Sequence, residues 1–280
     1  MSDPRRVDLH LHTCRSDGTF TPEQLIERAR ACGLSAISIT DHDDVGSAND
    51  MEQWRARAGT ALELIPGIEL TVAFRDRELH LLGYDFSVDN APLRAFLELA
   101  RARRLERLRA MLDRLREKKI ILAWEELMEI AALSRSPGRP HLAELLVRRR
   151  AVGSLKEAYD RYLGDSASCF VRMVDTTVEE ACRLVRQAGG VIVLAHPCHL
   201  VRDEWCPELA ARGVQGVEVY HSEHSASDTL FYQKVAKELN WIETGGSDCH
   251  GFQKTKGPLI GTVSVPYACL ESIRQVRHAA

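Results

Sequence analysis

The amino-acid sequence predicts an α/β protein, a largely parallel sheet interrupted by an all-helical insertion. Short β-like runs alternate with helix-like segments along most of the chain, the pattern of strands joined by helical crossovers. Between residues 86 and 165 that rhythm gives way to helical periodicity alone. The 280 residues suit one large domain with an insertion and can bury a core without disulfides or metal staples. A metal in such a chain implies chemistry more than folding.

Residues 7–12 read as the first strand, with Leu9 and Leu11 on one face and Asp8, His10 and His12 on the other, because alternate residues of a strand share a face. Thr21-Pro22-Glu23-Gln24 opens a helix with an N-cap and an N1 proline, and Gly33 closes it. Strands are expected at 36–41, 62–70 and 79–85. In the insertion, Leu93, Phe96, Leu97, Ala100, Leu108, Met111, Leu112 and Leu115 form one stripe of an amphipathic helix over 93–119 with an arginine-rich back. Further helices are expected at 124–133 and 141–147, on either side of the Pro/Gly loop 134–140. Asp175-Thr176-Thr177 opens another helix that Gly189-Gly190 closes, and strands follow at 191–196, 216–221 and 241–248. Residues 1–85 and 166–280 are thus expected to form a barrel-like body and 86–165 a helical cap.

The net charge of −3 hides an asymmetry: residues 86–165 carry 17 Lys/Arg against 12 Asp/Glu, leaving an acidic body beside a basic cap. The eight cysteines include no Cys-x-x-Cys pair, which fits a reducing compartment, and a cytoplasmic protein is expected. Met1-Ser2-Asp3-Pro4 lacks the apolar core of a signal peptide, and no run approaches the roughly 18 apolar residues of a membrane span. No P-loop or strand-bound Gly-x-Gly-x-x-Gly occurs, so a nucleotide would be bound in another way.

The chemistry collects where strands end. His10 and His12, Asp41-His42, Glu69, His196, His221, and Asp248 with His250 all lie at or just beyond the carboxyl end of an expected strand, whereas His80 falls within one. In a closed α/β barrel those ends open onto one face. Six of the eleven histidines would otherwise follow or end apolar runs by accident. Imidazole with carboxylate and no clustered thiolate favours Mn, Fe or Zn, and so many ligands suggest more than one divalent ion.

Asp8-Leu9-His10-Leu11-His12, Thr40-Asp41-His42, Pro66-Gly67-Ile68-Glu69, His80, Ala195-His196-Pro197 and Gly246-Ser247-Asp248-Cys249-His250 together resemble the polymerase and histidinol phosphatase (PHP) family of metal-dependent phosphoesterases. The resemblance implies a distorted, TIM-like (β/α)7 barrel with a trinuclear site. One ion would be held by His10, His12, Glu69 and Asp248, a second by bridging Glu69 with His80 and His196, and a third by Asp17, His42 and His250. Asp17 stands where some relatives carry histidine, which should favour a harder ion. The helical cap and Gly138-Arg139-Pro140-His141 resemble the subgroup that dephosphorylates nucleoside 3′,5′-bisphosphates, members of which are also implicated in trimming short RNA from its 5′ end.

A water shared by two divalent ions ionises near neutral pH and can attack phosphorus without a side-chain base, with Glu69 as the natural bridge and Asp248 beside it. The leaving group needs a proton or a cation, and His221 and His224 follow a strand on the same face; either could donate or bind phosphate. A second phosphate would meet Arg101, Arg104, Arg135, Arg139 or His141 of the cap, since arginine forks match phosphate oxygens. The expected activity is removal of the 3′-phosphate from a nucleoside 3′,5′-bisphosphate. The alternatives are 5′→3′ exonuclease action on short RNA, histidinol-phosphate hydrolysis, and a non-catalytic metal- or nucleic-acid-binding module.

Overall fold

The computed structural model describes residues 3–51, 53–54, 61–173, 176–200, 203–252 and 257–279. Met1, Ser2 and Asp175, which entered the reading of the sequence, lie outside them. The chain begins with β1 (Arg6–Leu11), α1 (Pro22–Ala31), β2 (Ala36–Ile39), α2 (Gly46–Asn49), β3 (Glu63–Phe74) and β4 (Arg77–Tyr84). The insertion carries α3 (Ala91–Glu117), α4 (Trp124–Ile130), α5 (Arg139–Arg148) and α6 (Leu155–Ala158), which runs into a π-helical turn. Then follow α7 (Val178–Gln187), β5 (Val191–Leu194), α8 (Cys206–Ala211), β6 (Gly216–His221), α9 (Ala226–Leu239), β7 (Ile242–Gly246), β8 (Val265–Pro266) and α10 (Ala268–Ala279).

The strands form one sheet in the order β7-β6-β5-β4-β3-β2-β1-β8. Its ends nearly meet: Asp248 N donates to His10 O at 2.9 Å and His12 N to Cys249 O at 3.1 Å, so the chain just after β7 returns to the far end of β1. The result is a nearly closed barrel. β1 to β3 and β5 to β7 run parallel, but β4 is antiparallel to both its neighbours. A βαβ crossover was not available there, because only Arg75 and Asp76 separate β3 from β4, far fewer than the ~10–12 residues it needs, so a hairpin forms instead. This reversal distorts the barrel and brings the first half of β4, with His80, to the same rim as the carboxyl ends of the other strands.

Local rules hold along the ring. Thr21 caps α1 in a capping box, and Gly33 and Gly189 take positive φ just past the helices they close. On β3, Ile68, Leu70, Val72 and Phe74 join the main core while Glu69 faces the other way. Gly246 is needed where β7 crosses β1: a Cβ there would lie 2.4 Å from His10 N. Gly246→Ala should therefore lower stability by roughly 1–3 kcal/mol, the usual range for overpacking. Thermal denaturation would show it, and an unchanged midpoint would mean the closure is looser than described.

The long helix α3 serves two cores. Leu93, Phe96, Leu97 and Ala100 belong to the barrel's core, whereas Leu108, Met111, Leu112 and Leu115 pack with Leu127, Leu142, Leu145 and Leu146 in a separate cluster of the cap. Between the two, buried Arg104 reaches Asp43 with Nε at 2.8 Å and Nη2 at 2.5 Å, and Thr71 Oγ1 at 2.9 Å. Asp43 follows His42, so this ion pair ties the cap to a loop of the barrel rim. None of the eight cysteines forms a disulfide. No helix among the described residues is long and apolar enough to cross a membrane.

Candidate metal centre

All nine residues proposed from the sequence as ligands converge at the barrel rim. Glu69, 1% exposed, is the hub: Oε2 stands 3.2 Å from His10 Nε2, 3.1 Å from His12 Nε2 and 3.3 Å from His42 Nδ1. Its other oxygen, Oε1, lies 2.8 Å from His80 Nδ1 and 3.0 Å from His196 Nε2. The Glu69–His80 contact is diagonal across the β3–β4 hairpin, within reach for long side chains. Asp248 Oδ1 is 3.4 Å from His10 Nε2 and 3.2 Å from His12 Nε2. Asp17 lies 3.4 Å from His250 Nε2, 3.7 Å from His42 Nε2 and 3.8 Å from His12 Nδ1. His12 thus touches two neighbouring groups of donors, a sharing that spacing alone does not reveal.

The backbone holds this arrangement under strain. His196 and Asp248 both have positive φ, of 23° and 51°, a conformation that costs about 1–3 kcal/mol for a residue with a side chain. Asp41 turns away from the cluster and accepts from Thr13 N at 2.8 Å, Thr13 Oγ1 at 2.8 Å and Ser16 Oγ at 2.6 Å, fixing the loop that carries Asp17.

The electrostatics match a cation site. Burial disfavours the charged forms of Glu69, Asp17 and Asp248, yet the surrounding imidazoles hold all three carboxyls well below their usual range. Burial likewise opposes charge on His12, but Asp248 and Glu69 raise it to about 10. His12 Nε2, Asp17 Oδ1 and His42 Nδ1 are buried and lack a hydrogen-bond partner. Buried donor atoms packed this closely suit divalent ions, and three overlapping groups could each hold one: His12, Asp17, His42 and His250; His10, His12 and Glu69; and His42, Glu69 and His80. Ions binding here displace protons, so their affinity falls as pH falls.

Glu218 is absent from the ligand set that the sequence suggests. Fully buried in β6, it meets His10 Nδ1 at 3.1 Å and accepts from His196 N at 2.7 Å, so one carboxylate orients residues of two donor groups. The available signal is a lone acid inside an otherwise apolar strand, which must be paired. Carboxylates behind ligating histidines fix the ring tautomer. Glu218→Gln should weaken metal affinity by about 10–100-fold. Competition with a chelator measures this, and unchanged affinity would remove Glu218 from the site.

His221, 4% exposed, lies with Nε2 3.8 Å from Asp248 Oδ2, and Glu218 and Asp248 overcome its burial to raise it to about 9. His224 Nδ1 donates to Val219 O at 2.8 Å, since a carbonyl oxygen can only accept. His199 pairs with Glu223 at 2.7 Å. Cys198 is pushed up by burial but pulled down to about 5 by the imidazoles of His199, His221 and His224.

Of the cap residues, Arg104 and Arg139 line a cleft with Asp17, His42 and His80, and so do Arg107 and Tyr159, which the sequence alone does not single out. Arg104 is engaged by Asp43, Arg107 by Glu78 at 2.9 Å, and Arg139 by Asp165 at 2.7 Å. His141 is buried at the start of α5 and accepts from Gly138 N at 3.1 Å. Arg135 stands outside the cleft, paired with Asp44 at 3.2 Å and Glu98 at 2.8 Å, and Arg101 is not among the residues that line it.

A barrel rim bearing this donor set can hold divalent ions, and comparison with known proteins gives its class. The PHP domain signature matches residues 8–170. The chain is 30% identical over 248 residues to the 5′-3′ exoribonuclease Rnm of Salmonella typhimurium, covering 87% of this chain and 84% of that protein. It is 29% identical over 249 residues to the 3′,5′-nucleoside bisphosphate phosphatase of Chromobacterium violaceum, covering 87% of each. A crystal structure from Bifidobacterium adolescentis, of a protein proposed to be a metal-dependent phosphoesterase, superimposes with a TM-score of 0.86 at 28% identity over 99% of this chain and 98% of that one. The molecule is a metal-dependent phosphoesterase. It belongs to the PHP family.

Proposed function

We propose that this enzyme removes the 3′-phosphate from nucleoside 3′,5′-bisphosphates, yielding nucleoside 5′-monophosphates. The observation that carries this reading is the shared cleft, in which Asp17, His42 and His80 of the rim face Arg107 and Arg139 of the cap. A substrate with two phosphates would suit a cavity with two cationic centres, ions bound at the donor cluster and the arginines opposite. The likeness to a relative named for this activity supports it. Residues 86–165 would then act as a cap that selects the substrate.

In this reading His10, His12, Glu69 and Asp248 hold one ion, Glu69 with His80 and His196 a second, and Asp17, His42 and His250 a third. Bound ions would supply an acidified water for in-line attack and neutralise charge on the phosphoryl oxygens. Glu69, with its two oxygens facing different imidazoles, would be shared by the first two positions. Asp248 lies beside both His12 and His221, and His221 would be the residue to give the leaving oxygen its proton. His224 follows it on the same loop and would contribute to phosphate binding only through a change in its Nε2 environment.

Phosphate release from adenosine 3′,5′-bisphosphate by protein loaded with Mn, Fe or Zn tests the proposal, and no release above that of Asp248→Ala would end it. Arg139→Ala should raise KM for the bisphosphate by roughly 10–100-fold, the worth of a charge-assisted hydrogen bond, and change KM much less for a substrate with one phosphate. Equal effects on both would remove Arg139 from recognition of the second phosphate.

Exoribonuclease action on short RNA is the second reading, and one observation favours it. A groove lined by Arg77, His199 and Leu200 adjoins the cleft and shares Glu78, His80 and Arg139 with it, which would give a longer strand a path past the site. End-labelled oligonucleotides compared with the bisphosphate at equal concentration decide between the two.

A further inference from the structure

We propose that Cys198, His221 and His224 form an additional cation site, adjoining the nine-residue cluster but using none of its residues, that takes one soft divalent ion of the zinc type. The three residues come from two places: Cys198 from the turn after β5, and the histidines from the end of β6 and the loop behind it. Their donor atoms all lie within 4.8 Å of one another. Donors around a tetrahedral zinc stand roughly 3.3–3.6 Å apart, so closing on an ion needs only side-chain adjustment.

Independent features of the side chains point to a ligand. Nε2 of His221 and Nε2 of His224 are both buried without a hydrogen-bond partner, and His221 is 4% exposed. His224 donates from Nδ1 to Val219 O at 2.8 Å, which leaves the lone pair of Nε2 free to bind, the arrangement in which a backbone carbonyl orients a ligating histidine. His221 Nδ1 accepts a long 3.2 Å bond from Glu223 N, so binding through Nε2 moves the ring proton to Nδ1 and gives up that bond. His199, the other imidazole beside Cys198, is held by Glu223 at 2.7 Å, which leaves the fourth position open to solvent or substrate.

The donor chemistry sets the ion. The nine-residue cluster offers imidazole and carboxylate, whereas this site adds a cysteine sulfur, which a bound metal deprotonates outright. Thiolate with two imidazoles selects zinc or cobalt over manganese or magnesium. An ion here takes the Nε2 position of His221 from its proton, so filling the site would end proton donation by that residue. The inference holds whichever phosphoester the enzyme cleaves, because it concerns metal occupancy and not turnover.

Titration of the metal-free full chain with cobalt(II) is the test. Wild-type protein and a Cys14→Ser control should both develop the sulfur-to-cobalt charge-transfer band in the near ultraviolet, and Cys198→Ser should lose it. Zinc content after reconstitution should fall by one ion per chain in Cys198→Ser, and in His224→Gln as a second variant, with circular dichroism confirming that each is folded. A band that never develops at saturating cobalt, a band that persists in Cys198→Ser, or equal zinc content in wild type and both variants would overturn the proposal.

Discussion

Replacing Glu69 with Gln is expected to lower kcat/KM for phosphate release by roughly a thousandfold or more, about 4 kcal/mol of transition-state stabilisation. The size follows from its position. Each oxygen faces a different set of imidazoles, so in the proposed assignment the residue would be ligand to one ion and bridge to the next. The amide keeps the shape but offers one neutral oxygen and an NH2 group, which cannot bridge two cations. Folding should survive, because the backbone of Glu69 is fixed independently: its carbonyl accepts from Asp43 N at 2.9 Å, and its N–H donates to Asp41 O at 3.3 Å. Steady-state assays beside circular dichroism measure both. Activity within tenfold of wild type would show that Glu69 bridges nothing.

Removing divalent ions with a chelator should abolish activity and leave the secondary structure in place. The barrel has an extensive apolar core, with Leu9, Leu25, Ile68, Leu70, Leu81 and Val217 all fully buried, so it does not need ions to fold. Stability should still fall, because ions that bind only the native state add about 2.7 kcal/mol at a hundredfold excess over Kd. For a chain of this size that is roughly 5–10 °C in Tm. Restored manganese, iron or zinc should return activity. A far-ultraviolet spectrum that collapses on chelation would instead make the metals structural staples.

Much of this site is legible in the sequence because its parts sit at strand ends, where apolar periodicity stops and a barrel opens. His10 and His12 show it best: two-residue alternation by itself separates them from Leu9 and Leu11. The reversal of β4 is written in the short interval between Leu70 and Leu79, yet only the sheet shows that this reversal carries His80 to the rim. Glu218 escapes a search for ligands because it acts through His10 and His196. In the cap, periodicity gives the face of α3 that carries arginines but not which turn of the helix overhangs the cleft. Hence Arg107 does not stand out, while Arg101 and Arg135 stand elsewhere. The C-terminal segment forms α10, pinned by buried Leu270 and Ile273, a pattern too short to stand out without the barrel it packs on.

The central claim is that the rim residues hold a cluster of divalent ions. Elemental analysis of protein reconstituted with manganese or iron and freed of excess ion tests it most directly. The account predicts two or three ions per chain at this cluster, falling by at least one in Asp248→Ala. Well under one ion per chain, in protein that is folded, would contradict it.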